Sequence, residues 1–407
     1  MTGPLNGLRV VDLTQVLSGP FCTMVLADLG ADVVKVEPPQ GDVSRAWGPH
    51  PAAAGGAPVE GGYGGYFASV NRNKRGVVLD LKTEEGRAGL HRLLDGADAV
   101  VENYRVGVME RLGLDYETLH ARHPRLVYVC VRGFGDPRTG AGPYATWPAF
   151  DIVAQAMGGL MGITGSDADH PTKVGPGVGD IFPGVLAAVG LLAAVRHAER
   201  TGEGQLVDVA MYDAVLSLCE RVVYQQSITG VPPRPQGNTH PLLCPYGVVA
   251  TGDGFVTVAA PSDHHWRLLT ELIGSPGLGT DARYATNEDR LSRAGEVYRH
   301  IEAWSRALTT EGVVQVLGGR IPCGPVASAA DILDDPHARA RQMLVDLPHP
   351  GGSTVTVAGA PIKFTATPTP PFRPAPLLGQ HTDEVLGARA TGATGGAGRG
   401  AAEGTDG

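Results

Sequence analysis

The chain has 407 residues, 43% of them hydrophobic and 18% charged, which is the balance of a globular protein with material for one very large or two ordinary domains. A formal net charge of −9 argues against a general nucleic-acid partner or membrane-surface binder, while leaving room for a local basic pocket. Five scattered cysteines (Cys22, Cys130, Cys219, Cys244, Cys323) without a CxxC pair suggest reduced thiols. The opening MTGPLNGLRV lacks a basic and an apolar signal region. The longest nearly uncharged apolar run, Ile181–Val195, is about 15 residues where a membrane span needs about 20. A cytoplasmic protein with no membrane segment is expected.

In chain order, Leu8–Leu13 reads as an apolar strand, and Ser18-Gly19-Pro20 opens a helix that ends at Gly30. Ala31–Val36 returns as a second strand, a βαβ unit with parallel pairing. Gly41–Gly65, rich in Gly, Pro and Ala, reads as a long loop. Strands are expected at Gly76–Leu81, Ala99–Glu102 and Leu126–Arg132, with helices between them, one of them capped by Thr83. This alternation predicts an α/β fold with a doubly wound layer.

Helices are expected around Ala149–Met161 and Phe182–Arg200, followed by a strand at Gln205–Met211. Pro232–Pro241 is a candidate domain boundary. Beyond it, Gly247–Ala250 and Phe255–Ala259 flank Thr251-Gly-Asp-Gly254, a hairpin signal. Helical patterns at Asp263–Ile273 and Gly295–Leu308 complete a smaller α/β domain. A last hairpin is expected from Thr354–Val357 and Pro361–Phe364, then the extended Pro-rich Pro368–Pro376. Residues 389–407 have the composition of a disordered tail.

The first strand–helix turn, DLTQVLSGP, carries one glycine where G-x-G-x-x-G is needed, so NAD binding is not expected. There is no phosphate-loop motif, no H-E-x-x-H and no G-x-S-x-G, so a metal site or a serine hydrolase has no candidate. In a doubly wound sheet the ligand crevice lies beyond the carboxyl ends of the strands. Arg105, Arg111 and Arg132 follow strand ends, and Arg45, Arg72, Lys74 and Arg75 also sit at segment ends, so together they could form an anion pocket.

One carboxylate stands apart. Asp180 lies in VGPGVGDIFPGVLA (Val174–Ala187), wrapped by glycines before a long apolar helix. As a helix N-cap it would stabilise the helix by about 1 kcal/mol. As a nucleophile it would use the glycines as clearance for a substrate carbonyl and their N–H groups as oxyanion donors. Spacing alone favours the cap.

Six stretches carry a resemblance. They are Gly7–Glu37 (GLRVVDLTQVLSGPFCTMVLADLGADVVKVE), Asn71–Gly86 (NRNKRGVVLDLKTEEG), Val100–Leu119 (VVENYRVGVMERLGLDYETL), Gly179-Asp180, Thr201–Leu216 and Leu378–Leu386 (LGQHTDEVL). In this order the chain resembles the class III CoA-transferases of the CaiB/BaiF type. The resemblance implies a large Rossmann-like domain built from both chain ends (residues 1–225 and 331–388), a smaller α/β domain with linkers (226–330) and an interlocked homodimer. It implies coenzyme A bound as acyl-CoA substrate or product, a carboxylic acid as second substrate, and neither metal nor NAD. Asp180 takes the place of the family's catalytic aspartate. The CoA-contacting positions fall on Leu17 and Ser18, on Asn71, Arg72, Asn73, Lys74 and Arg75, on Asn103 and Tyr104, on Arg111, and on Arg132, Gly133 and Phe134.

Pro38 stands where formyl-CoA transferases carry a CoA-contacting Arg, with Arg45 as its replacement. Leu17 stands in place of their Gln, which favours a larger or less polar acyl group over formyl. His240 and Tyr246, in the small domain, are candidates for contact with the acyl group. Two alternatives remain. A 2-methylacyl-CoA racemase would need a His where this chain has Phe150, and a non-catalytic CoA-binding protein would need no nucleophile.

Overall fold

The computed structural model describes residues 3–50 and 61–387. These residues form two compact units. One contains the residues up to Gly159, Gly175–Glu220 and Arg339 onward, and the other contains Leu160–Val174 and Arg221–Ala338. The short excursion at Leu160–Val174 has no counterpart in the sequence-based division. The proposed tail at 389–407 and part of the long loop lie outside the described residues.

The first unit is built on six parallel strands. They are β1 (Arg9–Asp12), β2 (Asp32–Glu37), β3 (Arg75–Val78), β4 (Ala99–Glu102), β5 (Val127–Arg132) and β6 (Leu206–Ala210). Their spatial order is β3-β2-β1-β4-β5-β6. The sequence reverses direction at β1, so the switch point lies between β1 and β4, where a doubly wound sheet opens its ligand crevice. RVVD, AVVE and VYVCVR are rich in β-branched residues and almost entirely buried, as strands covered on both faces must be.

The helices are α1 (Ser18–Asp28), α2 (Gly65–Asn71), α3 (Glu84–Leu94), α4 (Val108–Leu112), α5 (Tyr116–Arg122), α6 (Asp151–Met157), α7 (Val178–Thr201) and α8 (Met211–Leu218). The Thr83 hydroxyl caps α3 by accepting from the Gly86 N–H at 3.0 Å, as its position predicts. Gly30, at φ +99°, ends α1. At 24 residues α7 is longer than its apolar run implied. Its length and composition would suit a bilayer, yet its small and apolar stripe is buried, and it packs on α1 and the sheet. Gly184 permits that approach, because a Cβ there would lie 2.5 Å from the Ser18 carbonyl oxygen.

The second unit has its own core. Strands β7 (Tyr246–Ala250), β8 (Phe255–Ala259) and β9 (Cys323–Pro325) form an antiparallel sheet, the first two joined by the expected hairpin. Trp266, Leu269, Val297 and Ile301 from two amphipathic helices (Asp263–Leu272 and Ala294–Ser305) pack into the same cluster. In the return segment the hairpin differs from expectation. The pair is β10 (Leu344–Pro348) with β11 (Thr354–Ala358), and Pro361–Phe364 is not a strand. Pro361 has no N–H to give a ladder.

Candidate active site

The carboxyl ends of β1, β4 and β5 open onto a cavity of about 270 Å³. The loop after β1 supplies Gln15 to Ser18, the loop after β4 supplies Asn103 to Val106, β5 ends in Arg132 and Gly133, and α7 contributes Asp180. Seven of the sequence candidates therefore share one cavity: Leu17, Ser18, Asn103, Tyr104, Arg132, Gly133 and Asp180.

Asp180 is not a helix cap. Gly177 takes the N-cap position and Asp180 is the third residue of α7. The first amides of α7 are all occupied without it. Val178 donates to the Pro176 carbonyl, and Asp180 and Ile181 donate to that of Gly177. Gly179 donates to Asp151 Oδ1 at 2.8 Å. The cap that spacing assigned to Asp180 is thus made by Asp151, from the start of α6. Gly179 is needed by the fold, since a Cβ there would lie 2.7 Å from the Asp151 carbonyl oxygen, whereas a Cβ at Gly175 would meet nothing within 4 Å. Gly179→Ala is therefore expected to displace α7 from Asp151 and cut turnover about 10- to 100-fold, a displacement of the order of 1 Å sufficing for such a loss. Steady-state kinetics alongside a melting curve would check it.

The Asp180 carboxylate has neither a hydrogen bond nor an ion pair among the described residues, and the residue is only 8% exposed. Burial first, and the Asp151 charge second, push its pKa from 3.8 to about 7. A buried carboxylate left without partners is costly to ionise, and such expense concentrates where chemistry needs it. Across the cavity wall, α1 begins without any side-chain cap. The N–H groups of Leu17, Ser18 and Gly19 have no acceptor in the fold among the described residues. They stand at the positive end of the α1 dipole.

Several cations expected to face a ligand are spent inside the fold. Arg45 forks onto Glu37 at 2.7 and 2.6 Å, donates to the carbonyls of Gly61 and Pro376, and lies over the Phe67 ring. It cannot replace the arginine that Pro38 lacks without leaving Glu37 unpaired. Asn71, Arg72, Asn73 and Lys74 are buried. Arg72 and Asn73 bind Asp28, and Lys74 binds Asp12 at 3.0 Å, Asn71 and the Pro20 carbonyl. Arg75 pairs with Asp32 and Glu384. This run leads into β3, whose Arg75 lies level with Val34 of β2 and Val11 of β1. Arg132 is held by Glu102 at 2.6 Å and by Asp136, and only its buried Nε lacks a partner. Phe134 packs among Tyr144, Trp147 and Tyr212 rather than lining the cavity.

The cations that remain exposed and unpaired are others. Arg105 lines the cavity. A neighbouring groove of about 360 Å³ shares Gln15 and Tyr104 with it and is lined by Pro38, Leu79–Lys82 and Arg111. Among the described residues, neither Arg111 nor the Lys82 ammonium has a partner. Lys82 and the cavity segment Ala145–Ala149 were missed at the level of sequence, while the adjoining Phe150 stands out there only as the position of an absent histidine. The signal for Lys82 was its position just past a strand end, which the rule of the crevice would have singled out. His240 and Tyr246 belong to the second unit. There His240 accepts from the Leu242 N–H at 3.1 Å and its ring lies 5.1 Å from that of Tyr246. Among the described residues no cluster of His, Cys, Asp or Glu could hold a metal ion.

A six-stranded parallel sheet in this order, with exposed cations in a groove beside a buried carboxylate at the switch point, defines a doubly wound α/β protein with its crevice where such sheets place it. Residues 5–382 match CoA-transferase family III. The chain is 51% identical over 385 residues to a succinyl-CoA:mesaconate CoA-transferase of Haloarcula hispanica, covering 94% of this chain and 96% of that one. It is 39% identical to a succinate–glutarate CoA-transferase of Agrobacterium fabrum, covering 94% and 95%. A crystal structure of a CaiB/BaiF family protein from Brucella suis superposes with a TM-score of 0.83 at 34% identity, over 95% of this chain and 99% of that one. The chain belongs to CoA-transferase family III. It is an enzyme that moves CoA from an acyl-CoA to a carboxylic acid.

Proposed function

We propose that Asp180 is the nucleophile of this transfer, and that its buried, partnerless carboxylate is the observation that carries the reading. One Asp180 oxygen attacks the thioester carbonyl, the C–S bond breaks, and CoA leaves as a thiolate from a mixed anhydride. The thiolate then attacks the aspartyl carbonyl, which expels the donor acid and leaves an aspartyl–CoA thioester. The acceptor carboxylate attacks that thioester, releasing the thiolate again and forming a second anhydride. Attack of the thiolate on the acceptor's acyl carbon yields the new acyl-CoA and frees the Asp180 carboxylate. One activated acyl bond, thioester or anhydride, is kept at every stage, although the donor acyl group itself leaves as the free acid.

The uncapped start of α1 suits the oxyanion of each tetrahedral intermediate, since the N–H groups of Leu17, Ser18 and Gly19 are unspent and the dipole favours negative charge. The CoA nucleotide lies along the groove past β1 to β4, with Lys82, Arg111 and Arg105 as its phosphate partners. This shifts the CoA contacts from the Asn71–Arg75 run to Leu79–Lys82. Lys82→Ala with Arg111→Ala is expected to raise KM for acyl-CoA about 10²- to 10⁴-fold at unchanged melting temperature, each of the two lost charge-assisted bonds being worth roughly 1.5–3 kcal/mol. Lys74→Met should instead unfold the chain, because it strands Asp12 in the core.

Succinyl-CoA as donor and a short dicarboxylic acid such as mesaconate as acceptor follow from the 51% identical relative. The unpaired Arg105 at the cavity suits an additional carboxylate, as an alternative to a phosphate. An interlocked homodimer is supported by the exposed Val185 and Val189 on α7 beside the site. Light scattering at twice the chain mass would agree with it, and a monomer would not. A racemase is disfavoured because Phe150, at the cavity wall, carries no proton.

Intermediate trapping tests the whole reading. Incubation with succinyl-CoA followed by hydroxylamine should leave a hydroxamate on Asp180 by mass spectrometry. No adduct with any acyl-CoA would sink the nucleophile assignment.

A further inference from the structure

Val16 holds φ at +69°. In that region a β-branched side chain collides with its own backbone, at a cost of about 1–3 kcal/mol. Among the described residues, Val16, Asn73 and Gln342 are the non-glycine positions with positive φ. Of these Val16 is the β-branched one, and it lines the Asp180 cavity. Something must hold it there.

Three consecutive residues of this turn are gripped. The Thr14 carbonyl accepts from Lys35 Nζ at 2.8 Å. The Asn103 amide brackets Gln15, accepting its N–H and donating to its carbonyl, each at 2.8 Å. The Asp42 carboxylate accepts the Val16 N–H at 3.3 and 3.4 Å. Lys35 and Asp42 are paired at 3.1 Å with both side chains fully buried. Asp42 is in turn fixed by Glu37, which accepts its N–H at 2.9 Å, and by the Ser44 hydroxyl at 2.8 Å.

A buried ion pair is a poor source of net stability, because desolvation offsets most of the attraction. This one touches the strained turn at both ends, at the Thr14 carbonyl and at the Val16 N–H. The residues that follow are Leu17 and Ser18, whose amides open α1 at the cavity. We infer that the Lys35–Asp42 pair is a positioning device for the transfer reaction: it locks Val16 in the left-handed conformation and so sets where Leu17 and Ser18 meet the reacting carbonyl. Neither charged group touches the substrate. The inference rests on the reading of Asp180 as the acylated residue.

The test compares wild type, Asp42→Asn, Val16→Gly and the double variant in single turnover with succinyl-CoA. The readouts are the rate at which hydroxylamine-trappable Asp180 forms and the affinity for free CoA. Asp42→Asn is expected to slow acylation roughly 30-fold, with CoA affinity changed less than about 3-fold, because misplacement of the reacting groups is costly. Adding Val16→Gly should restore acylation at least about 5-fold, since glycine enters the left-handed region without steric cost. A purely structural role would lower the melting temperature, leave the acylation rate of the folded protein intact, and give no rescue. If Asp42→Asn is insoluble, Lys35→Met with Asp42→Asn removes both charges, strands none, and carries the same expectations. Acylation of the clamp variants within about 2-fold of wild type, or no gain from Val16→Gly, overturns the inference. Absence of any adduct on wild type would instead overturn the parent reading.

Discussion

Asp180→Ala is expected to reduce CoA transfer by at least about 10³-fold, the scale seen when a covalent nucleophile is removed. CoA should still bind, because the groove cations lie on other elements. A second effect runs the other way. With its folded pKa raised to about 7 from 3.8, Asp180 binds a proton more tightly in the native state than in the unfolded one. Its favourable contribution is complete below the ordinary carboxyl pKa and is lost as pH rises from about 4 through 7. Asp180→Asn, neutral at every pH, escapes that loss. The variant should therefore be more stable than wild type above pH 7, by a few kcal/mol and ~4 at most, with the advantage vanishing near pH 4. Paired urea titrations at pH 4.5 and 8 would measure it. Equal stability at pH 8 would mean that Asp180 ionises without penalty, and the stored cost would be absent.

Asp151→Asn should shift the acid limb of the rate profile. In the proposed mechanism Asp180 attacks as the anion, so kcat/KM for the free enzyme is expected to fall about tenfold per pH unit below 7. Burial is the larger cause of that raised value and the Asp151 charge the second. An asparagine at 151 keeps the oxygen that accepts from Gly179, and Gln155, which donates to both Asp151 oxygens at 2.9 and 3.0 Å, can turn its amide to match. The helix start survives while the like charge goes. The acid limb should then move down by about one pH unit without returning to an ordinary carboxyl value, as expected for loss of one nearby charge. A limb that stays put, or moves up, would show that Asp151 does not act on Asp180 through its charge. The like charge has a use in this reading: it keeps Asp180 reactive and ready to be neutralised by acylation.

The chain's alternation of β-branched runs with helical stretches foretold the α/β layer, because a strand buried on both faces and a capped helix leave local marks. Thr83 and Gly30 were legible for the same reason, since each acts within four residues of itself. The hairpin around Thr251–Gly254 was likewise a local affair. The final hairpin misled because Thr354–Ala358 pairs with a strand whose alternation is interrupted by charge and proline, Leu344–Pro348.

The cations divide differently. In sequence, Lys74 and Lys82 are both lysines near a strand end. In the fold, Lys74 is buried against Asp12, 62 positions away, and Lys82 stands unpaired at the groove. Arg45 likewise gave the appearance of a free phosphate partner until Glu37 claimed it. Pairing across such separations depends on which strands lie side by side, and no local pattern encodes that.

The sequence by itself determined the layer, the family resemblance and the prominence of Asp180 among its glycines. It could not decide whether that carboxylate was a cap or a reactive group, since both roles ask for an acid at a helix start. The tertiary structure decided what surrounds it. Asp151, from another helix, takes the capping bond and leaves Asp180 buried and partnerless. The physical reason is that a hydrogen bond is satisfied once. When a distant residue takes the Gly179 amide, the nearby acid is left free to react.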